Sequence, residues 1–121
     1  MPALTPEGRA QGPVITGFAG RGFKVDGEPT PGGVLIAPEW WRPLEAETLD
    51  EAVLAPLLEL KPEFLILGTG ATLVRPAPAL ARAIEAQGVG IEAMDSRAAA
   101  RAWGVLRAEG RWIAAALLPL A

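Results

Sequence analysis

Hydrophobic positions along the chain fall first into short β-rich runs and then into an alternation of buried-strand and helix-period segments. Pro13 to Ala19 and Gly22 to Asp26 are two such runs, and Gly20-Arg21-Gly22 between them supplies the positive-φ freedom of a tight turn, so a hairpin is predicted. Asp26-Gly27 opens a Pro/Gly-rich turn through Gly33, and Gly33 to Ala37 reads as a third strand stopped by Pro38. Trp40-Trp41-Arg42-Pro43 reads as irregular, with at least one exposed ring, whereas Trp103 and Trp112 fall inside regular elements. Thr48-Leu49-Asp50-Glu51 has the form of a capping box and predicts a helix start at Thr48, with Leu49, Val53, Leu57 and Leu60 near helical spacing and a kink or restart at Pro56.

Phe64-Leu65-Ile66-Leu67 is an unbroken apolar run of the kind found in a strand covered on both faces, and it is expected to be the central strand. Pro78 suits the first turn of a helix whose Leu80, Ala83, Ile84 and Gln87 share a face, and Gly88 provides its left-handed stop. Val89 to Met94 predicts a second buried strand, which a right-handed crossover makes parallel to the first. Asp95 or Ser96 caps a further helix to about Ala108, with Ala98, Ala102, Val105 and Leu106 as its apolar face and Gly110 as its end. Arg111 to Leu118 is the last strand. The sum is an α/β fold: one three-layer domain over residues 13–121, with a central mixed sheet, flanking helices and an additional β layer from the N-terminal third. Residues 1–12 are expected to be a mobile segment.

Composition removes many chemistries. The 121 residues include no Cys and no His, so thiol nucleophiles, imidazole bases, disulfides and the usual zinc or haem ligands are absent from the sequence; no metal, no cofactor and no catalytic residue is expected. A net charge of −3 gives no global attraction to nucleic acid. The nine Arg against two Lys, with abundant Ala, Gly and Pro, point to a G+C-rich bacterial source. Met1 to Gly12 has no apolar core of a signal peptide, and the longest apolar run, Trp112 to Ala121, is ten residues against the roughly 20 of a spanning helix, so no transmembrane segment and a cytoplasmic location are expected.

The chemistry that remains centres on Gly68-Thr69-Gly70-Ala71-Thr72, where glycines let the backbone approach an anion and bare amides could bind it. Asp95 ends the neighbouring parallel strand on the same edge, where ligands of parallel sheets usually sit. A dinucleotide fingerprint fits poorly: the third small position is Leu73, and Val74 to Pro78 delay the helix. The glycines alternatively form only a tight strand exit, Asp95 a helix cap, and Arg97, Arg101 and Arg111 either a solvated face or an anion site with Thr69. Glu109 beside Arg111 is expected to make a structural ion pair, and Ser96, Thr69 and Thr72 have no visible base. Trp40 and Trp41, beside Arg42, are candidate interface anchors, with a surface loop folded onto the core as the alternative.

Leu65-Ile66-Leu67-Gly68-Thr69-Gly70, Met94-Asp95, Ala98-Ala99-Ala100-Arg101, Leu106, Glu109-Gly110-Arg111 and Ala114-Ala115-Ala116-Leu117 together resemble the Mth-type domain of unknown function, in the same order and over Pro13 to Leu117. That family includes a mitochondrial complex I assembly factor, an adipogenesis-associated mammalian protein and many short prokaryotic proteins. The resemblance implies the three-layer fold and a pocket at Gly68, Thr69, Gly70, Met94 and Asp95, with Arg101, Glu109 and Arg111 also on family positions. The chain departs from the pattern at Ser96, where relatives often have Thr, at Ala100, and at Trp103-Gly104 in place of an aromatic–Asn pair. The implied role is a noncatalytic adaptor or assembly-type protein with a protein partner, membrane-complex subunits among the candidates and a homo-oligomer compatible with it. The alternative is a small anion-binding protein or enzyme using the Gly68 loop, Asp95 and Arg101.

Overall fold

The computed structural model describes residues 12–121, so the expectation for the preceding segment lies outside the described residues. Strands β1 (Ile15–Ala19), β2 (Gly22–Val25) and β3 (Glu28–Thr30) form an antiparallel meander. Strands β4 (Gly33–Ile36), β5 (Trp41–Leu44), β6 (Phe64–Gly68), β7 (Gly90–Met94) and β8 (Ala114–Leu117) form a five-stranded mixed sheet in the order β5-β4-β8-β6-β7. Helices α1 (Glu51–Leu58), α2 (Pro78–Glu85) and α3 (Ser96–Ala108) complete the fold.

Strand periodicity divides the core in two. Ile66, Ala115, Leu117, Val34 and Ile36 point to one face, where they pack with Trp103, Ala99 and Ala100 of α3 and with Phe23 and Val25 of the meander. Leu65, Leu67, Ala114, Ala116 and Leu35 point to the other, against Leu54, Leu57 and Leu58 of α1 and Ile84 of α2. The layers are therefore α1 and α2, then the five-stranded sheet, then α3 beside the three-stranded one. The meander is tied on by long-range bonds: the Trp103 indole N–H donates to Pro13 O (3.1 Å), and Leu120 N–H donates to Arg21 O (2.7 Å).

The expected hairpin forms around Gly20 (φ 58°). The parallel β6–β7 pair forms in the register Phe64↔Gly90 to Gly68↔Met94. Several expectations are corrected. The Pro/Gly-rich turn contains β3, because after Asp26-Gly27 reverses the chain the next three residues pair with Phe23 to Val25. The supposedly irregular Trp40–Pro43 stretch includes β5, an edge strand antiparallel to β4, where Pro43 is tolerated because an edge can leave one side of the backbone unpaired. The first helix starts at Glu51, capped by Asp50, whose Oδ1 accepts from Val53 N–H at 2.8 Å; Thr48 stays outside.

Pro56 sits inside α1 without breaking it, since Ala52, whose carbonyl it would have engaged, is solvent-exposed and Glu59 N–H still reaches Ala55 O (3.0 Å). The middle of the sheet is β8 rather than β6, and β7 is a half-exposed edge rather than a buried strand. The buried stripe of α3 is Ser96, Ala99, Ala100, Trp103 and Arg107; Ala98, Ala102 and Leu106 are only half-buried and Val105 is 55% exposed. Trp112 is exposed and precedes β8.

Candidate functional site

Strands β6, β7 and β8 are mutually parallel, or parallel through β6, so their C-terminal ends meet at one edge of the sheet. Gly68-Thr69-Gly70 leaves β6 there beside Met94-Asp95 and Leu117-Leu118. Thr69 N–H donates to Met94 O (2.9 Å), Leu118 N–H donates to Gly68 O (2.9 Å), and Ser96 N–H donates to Gly70 O (2.8 Å). The buried Ser96 hydroxyl completes the set, accepting from Gly70 N–H (2.8 Å) and donating to Leu118 O (2.8 Å). One serine thereby joins the exits of β6 and β8 to the start of α3. The Thr69 hydroxyl donates to Thr72 O (2.7 Å) and accepts from Val74 N–H (2.9 Å), which folds the following loop back on itself.

These bonds change the reading of the loop. The Thr69 and Gly70 amides, which the sequence offers as bare donors for an anion, are already engaged by the protein. Gly70 does take a positive φ of 103°, but Gly68 is required for space: a Cβ there would lie 2.9 Å from Leu117 Cγ, 2.9 Å from Ser96 Oγ and 3.1 Å from Ala99 Cβ. Asp95 caps α3, its Oδ1 accepting from Ala98 N–H at 3.0 Å.

The remaining candidates are dispersed. Arg111 precedes β8 and Glu109 ends α3, at the opposite edge of the sheet from the loop, about 17 Å away for a five-residue strand. Arg111 makes a forked pair with Glu63, its Nε and Nη2 lying 3.0 and 2.9 Å from Glu63 Oε1; Glu63, not Glu109, is its acid partner. Trp112 N–H donates to Glu63 Oε2 at 3.3 Å. The Arg111 guanidinium and then the Trp112 amide hold the Glu63 carboxyl below its ordinary pKa. Arg101 lies with Arg97 along a shallow groove between α3 and β1, where Arg97 stacks over Phe18 at 4.7 Å. It does not join Thr69 and Asp95. Trp40 and Trp41 are both half-buried, on opposite faces of the sheet, and Arg42 stacks on the Trp40 ring at 4.9 Å.

What the C-terminal edge does carry is a cleft of about 280 Å³ between the start of α1, the loop after Thr69 and the start of α2. Leu49, Leu67, Val74, Pro76, Leu80 and Leu118 give it an apolar floor, with Glu47 and Arg75 at its margin. Leu73 and Val74 on the adjoining loop are 57% and 58% exposed. Sequence reasoning missed this cleft, although two adjacent aliphatic residues inside a loop are a readable signal for it; Glu63 had no such signal. Among the described residues no group of three acidic, His or Cys side chains could hold a metal ion, and no helix is long and apolar enough to cross a membrane.

Residues 15–118 match the family model described as a protein of unknown function, DUF498/DUF598. The chain belongs to that family. It is 34% identical over 106 residues to an uncharacterized protein of Rhodobacter capsulatus, covering 88% of this chain and 84% of that protein. It is 31% identical over 113 residues to NADH dehydrogenase [ubiquinone] 1 alpha subcomplex assembly factor 3 of Danio rerio, covering 89% of this chain and 65% of that one. A solved Mth938-like domain from Bordetella pertussis superposes with a TM-score of 0.77 at 27% identity, covering 88% of this chain and 85% of that domain. The Mth-type resemblance and the α/β layering thus hold, and the DUF498/DUF598 chain has assembly-factor relatives.

Proposed function

We propose that this DUF498/DUF598 chain is a noncatalytic, assembly-type protein that holds protein clients, by analogy with the relative named as an NADH dehydrogenase assembly factor. One observation carries the reading: the strand-end position that many α/β enzymes use for polar chemistry is closed here by internal hydrogen bonds and flanked by an apolar cleft. An anion at the Thr69 or Gly70 amide would have to displace Met94 O or the Ser96 hydroxyl. A client's aliphatic side chain, in contrast, can enter the cleft while covering Leu73 and Val74, and burial of such side chains stabilises a complex by about 25 cal/mol per Å² of apolar surface before ordering costs. The half-buried Trp40 and Trp41 are a second candidate contact, at the β5 edge.

The test is affinity purification of the tagged chain from its native host with membranes retained, comparing wild type with Leu73→Asp/Val74→Asp. Recovery of specific membrane-complex subunits, reduced in the double variant while its melting temperature is unchanged, is the expected result. Recovery of nothing above background, or turnover of a small molecule by the pure protein, overturns the reading.

A further inference from the structure

The five-stranded sheet ends in two unlike edges. On β5 the edge is short and carries Pro43 and Arg42, devices that discourage another strand from pairing. On β7 the edge is five residues long, pairs with β6 without a bulge and has no proline, and its single charge is Glu92. Among the described residues no strand pairs with its outer side.

Backbone parity identifies the groups left on that side. Gly90 N–H donates to Glu63 O (3.1 Å) and Met94 O accepts from Thr69 N–H (2.9 Å), so residues 90, 92 and 94 turn their amides and carbonyls toward β6. Residues alternate along a strand, and Ile91 and Ala93 therefore direct theirs outward. Two donors and two acceptors stand in a row at strand spacing, within an element that is half-exposed at every position except Glu92, which is exposed.

The surroundings can receive a sixth strand. Helix α2 packs against β7 on one face, where Ile91, Ala93 and Leu80 meet the second core cluster; α3 packs on the other, where Met94, Phe64, Ala102 and Leu106 border the first. Beyond those contacts α3 presents the small half-buried Ala98 and the exposed Val105. An added strand would place alternate side chains on these two apolar shelves. The charge at the centre of the edge selects the partner. A second copy pairing antiparallel about residue 92 would set Glu92 directly against Glu92, which is repulsive at the close cross-strand spacing, whereas a Lys or Arg there is attractive.

We propose that β7 is a docking edge for an extended segment of a client protein, an alternating apolar sequence with a basic side chain opposite Glu92. The proposal rests on the assembly-type reading and specifies how a client is held. Its probe is a capped peptide of alternating valine and threonine with one central lysine, titrated into the labelled protein and followed by amide chemical shifts. Shifts should concentrate at Ile91 and Ala93.

Ala93→Pro removes an outward N–H without touching the β6 ladder and should weaken binding at least about tenfold. Glu92→Lys, which alters no backbone bond, should weaken the lysine peptide by about three- to fivefold and favour a matching glutamate peptide. Absence of binding at millimolar peptide, shifts confined to the Leu73–Ala77 loop, or equal binding by Ala93→Pro would overturn the proposal. So would a concentration-dependent dimer of the wild type that Ala93→Pro abolishes. If the peptide fails while membrane subunits still co-purify, the edge is wrong and the assembly reading stands; if the peptide binds and no subunit is recovered, the reverse holds.

Discussion

Replacing Gly68 with alanine probes the strand-end clasp through a single added carbon. The new Cβ would sit 2.9 Å from both Leu117 Cγ and Ser96 Oγ and 3.1 Å from Ala99 Cβ, distances at which something has to move. Leu117 can rotate only within a filled core, and Ala99 is fixed to a helix; Ser96 can turn, but turning leaves Gly70 N–H and Leu118 O without their partner. Overpacking by one methyl costs about 1–3 kcal/mol, and loss of a buried hydrogen bond adds about 1–3 kcal/mol, so about 2–6 kcal/mol is expected. Near a mesophilic midpoint each kcal/mol corresponds to about 4 °C for a domain of this size. Gly68→Val adds further methyls to the same gap and should fall below the threshold for stable folding. Urea unfolding with unchanged m gives the cost for Gly68→Ala. Ser96→Ala makes room while removing the same two bonds, so the double variant should cost less than the sum of the singles. A Gly68→Ala loss under about 0.5 kcal/mol, or strictly additive costs, would refute the steric argument.

Three further outcomes concern contacts away from this clasp. The Glu63 carboxyl is held below its ordinary pKa in the folded chain, so its pair with Arg111 contributes above the unfolded glutamate pKa and is lost as pH falls through the depressed folded value; the Tm gap between wild type and Glu63→Gln should narrow in acid, and a gap independent of pH sinks the assignment. Trp103→Phe removes the indole bond to Pro13 O and part of a fully buried ring, and should cost about 2 kcal/mol or more while accelerating amide exchange in β1; unchanged β1 exchange argues against the tether. In single-Trp variants acrylamide should quench Trp112 most, Trp40 and Trp41 next and Trp103 least, and Trp41 quenching faster than Trp112 contradicts the strand placement of β5.

Elements with a strong local signal were legible. Gly20, Gly88 and Gly110 mark their turns and helix ends, and each has positive φ. Pro78 opens α2 as its first helical residue. The misplacements occur where tertiary pairing overrides local chemistry. Glu28–Thr30 has three residues, one of them proline, and becomes a strand because Phe23–Val25 lies beside it. Trp41–Leu44 carries proline too, and pairs because β4 needs a neighbour opposite β8. On α3 the stripe Ala98, Ala102, Val105 and Leu106 is periodic in sequence, yet the sheet and the meander meet the helix on the side of Ala99, Ala100 and Trp103. With alanine on both stripes, composition could not rank them, and Trp103 was the residue that decided.

The site shows the same division between local and long-range information. Glycines after a buried strand signal a close approach, but a sequence does not state what approaches. In this chain it is Leu117, Ser96 and Ala99 of the protein itself. Ser96 was visible as a hydroxyl without a base, and its position explains the missing base: it accepts from one backbone amide and donates its proton to a backbone carbonyl, both across more than twenty residues, so the hydroxyl is a structural link. Arg101, Glu109 and Arg111 follow the loop in family order, yet α3 leads the chain from one sheet edge to the other, so residues at its start and just beyond its end face opposite solvent. A thirteen-residue helix rises about 20 Å, longer than any side chain can span, and this length alone prevents Arg111 from serving the Gly68 loop. A function assigned to the strand ends at the Gly68 loop must therefore be built from the cleft and the Leu73-Val74 loop, with the outer side of β7 as a separate lateral surface.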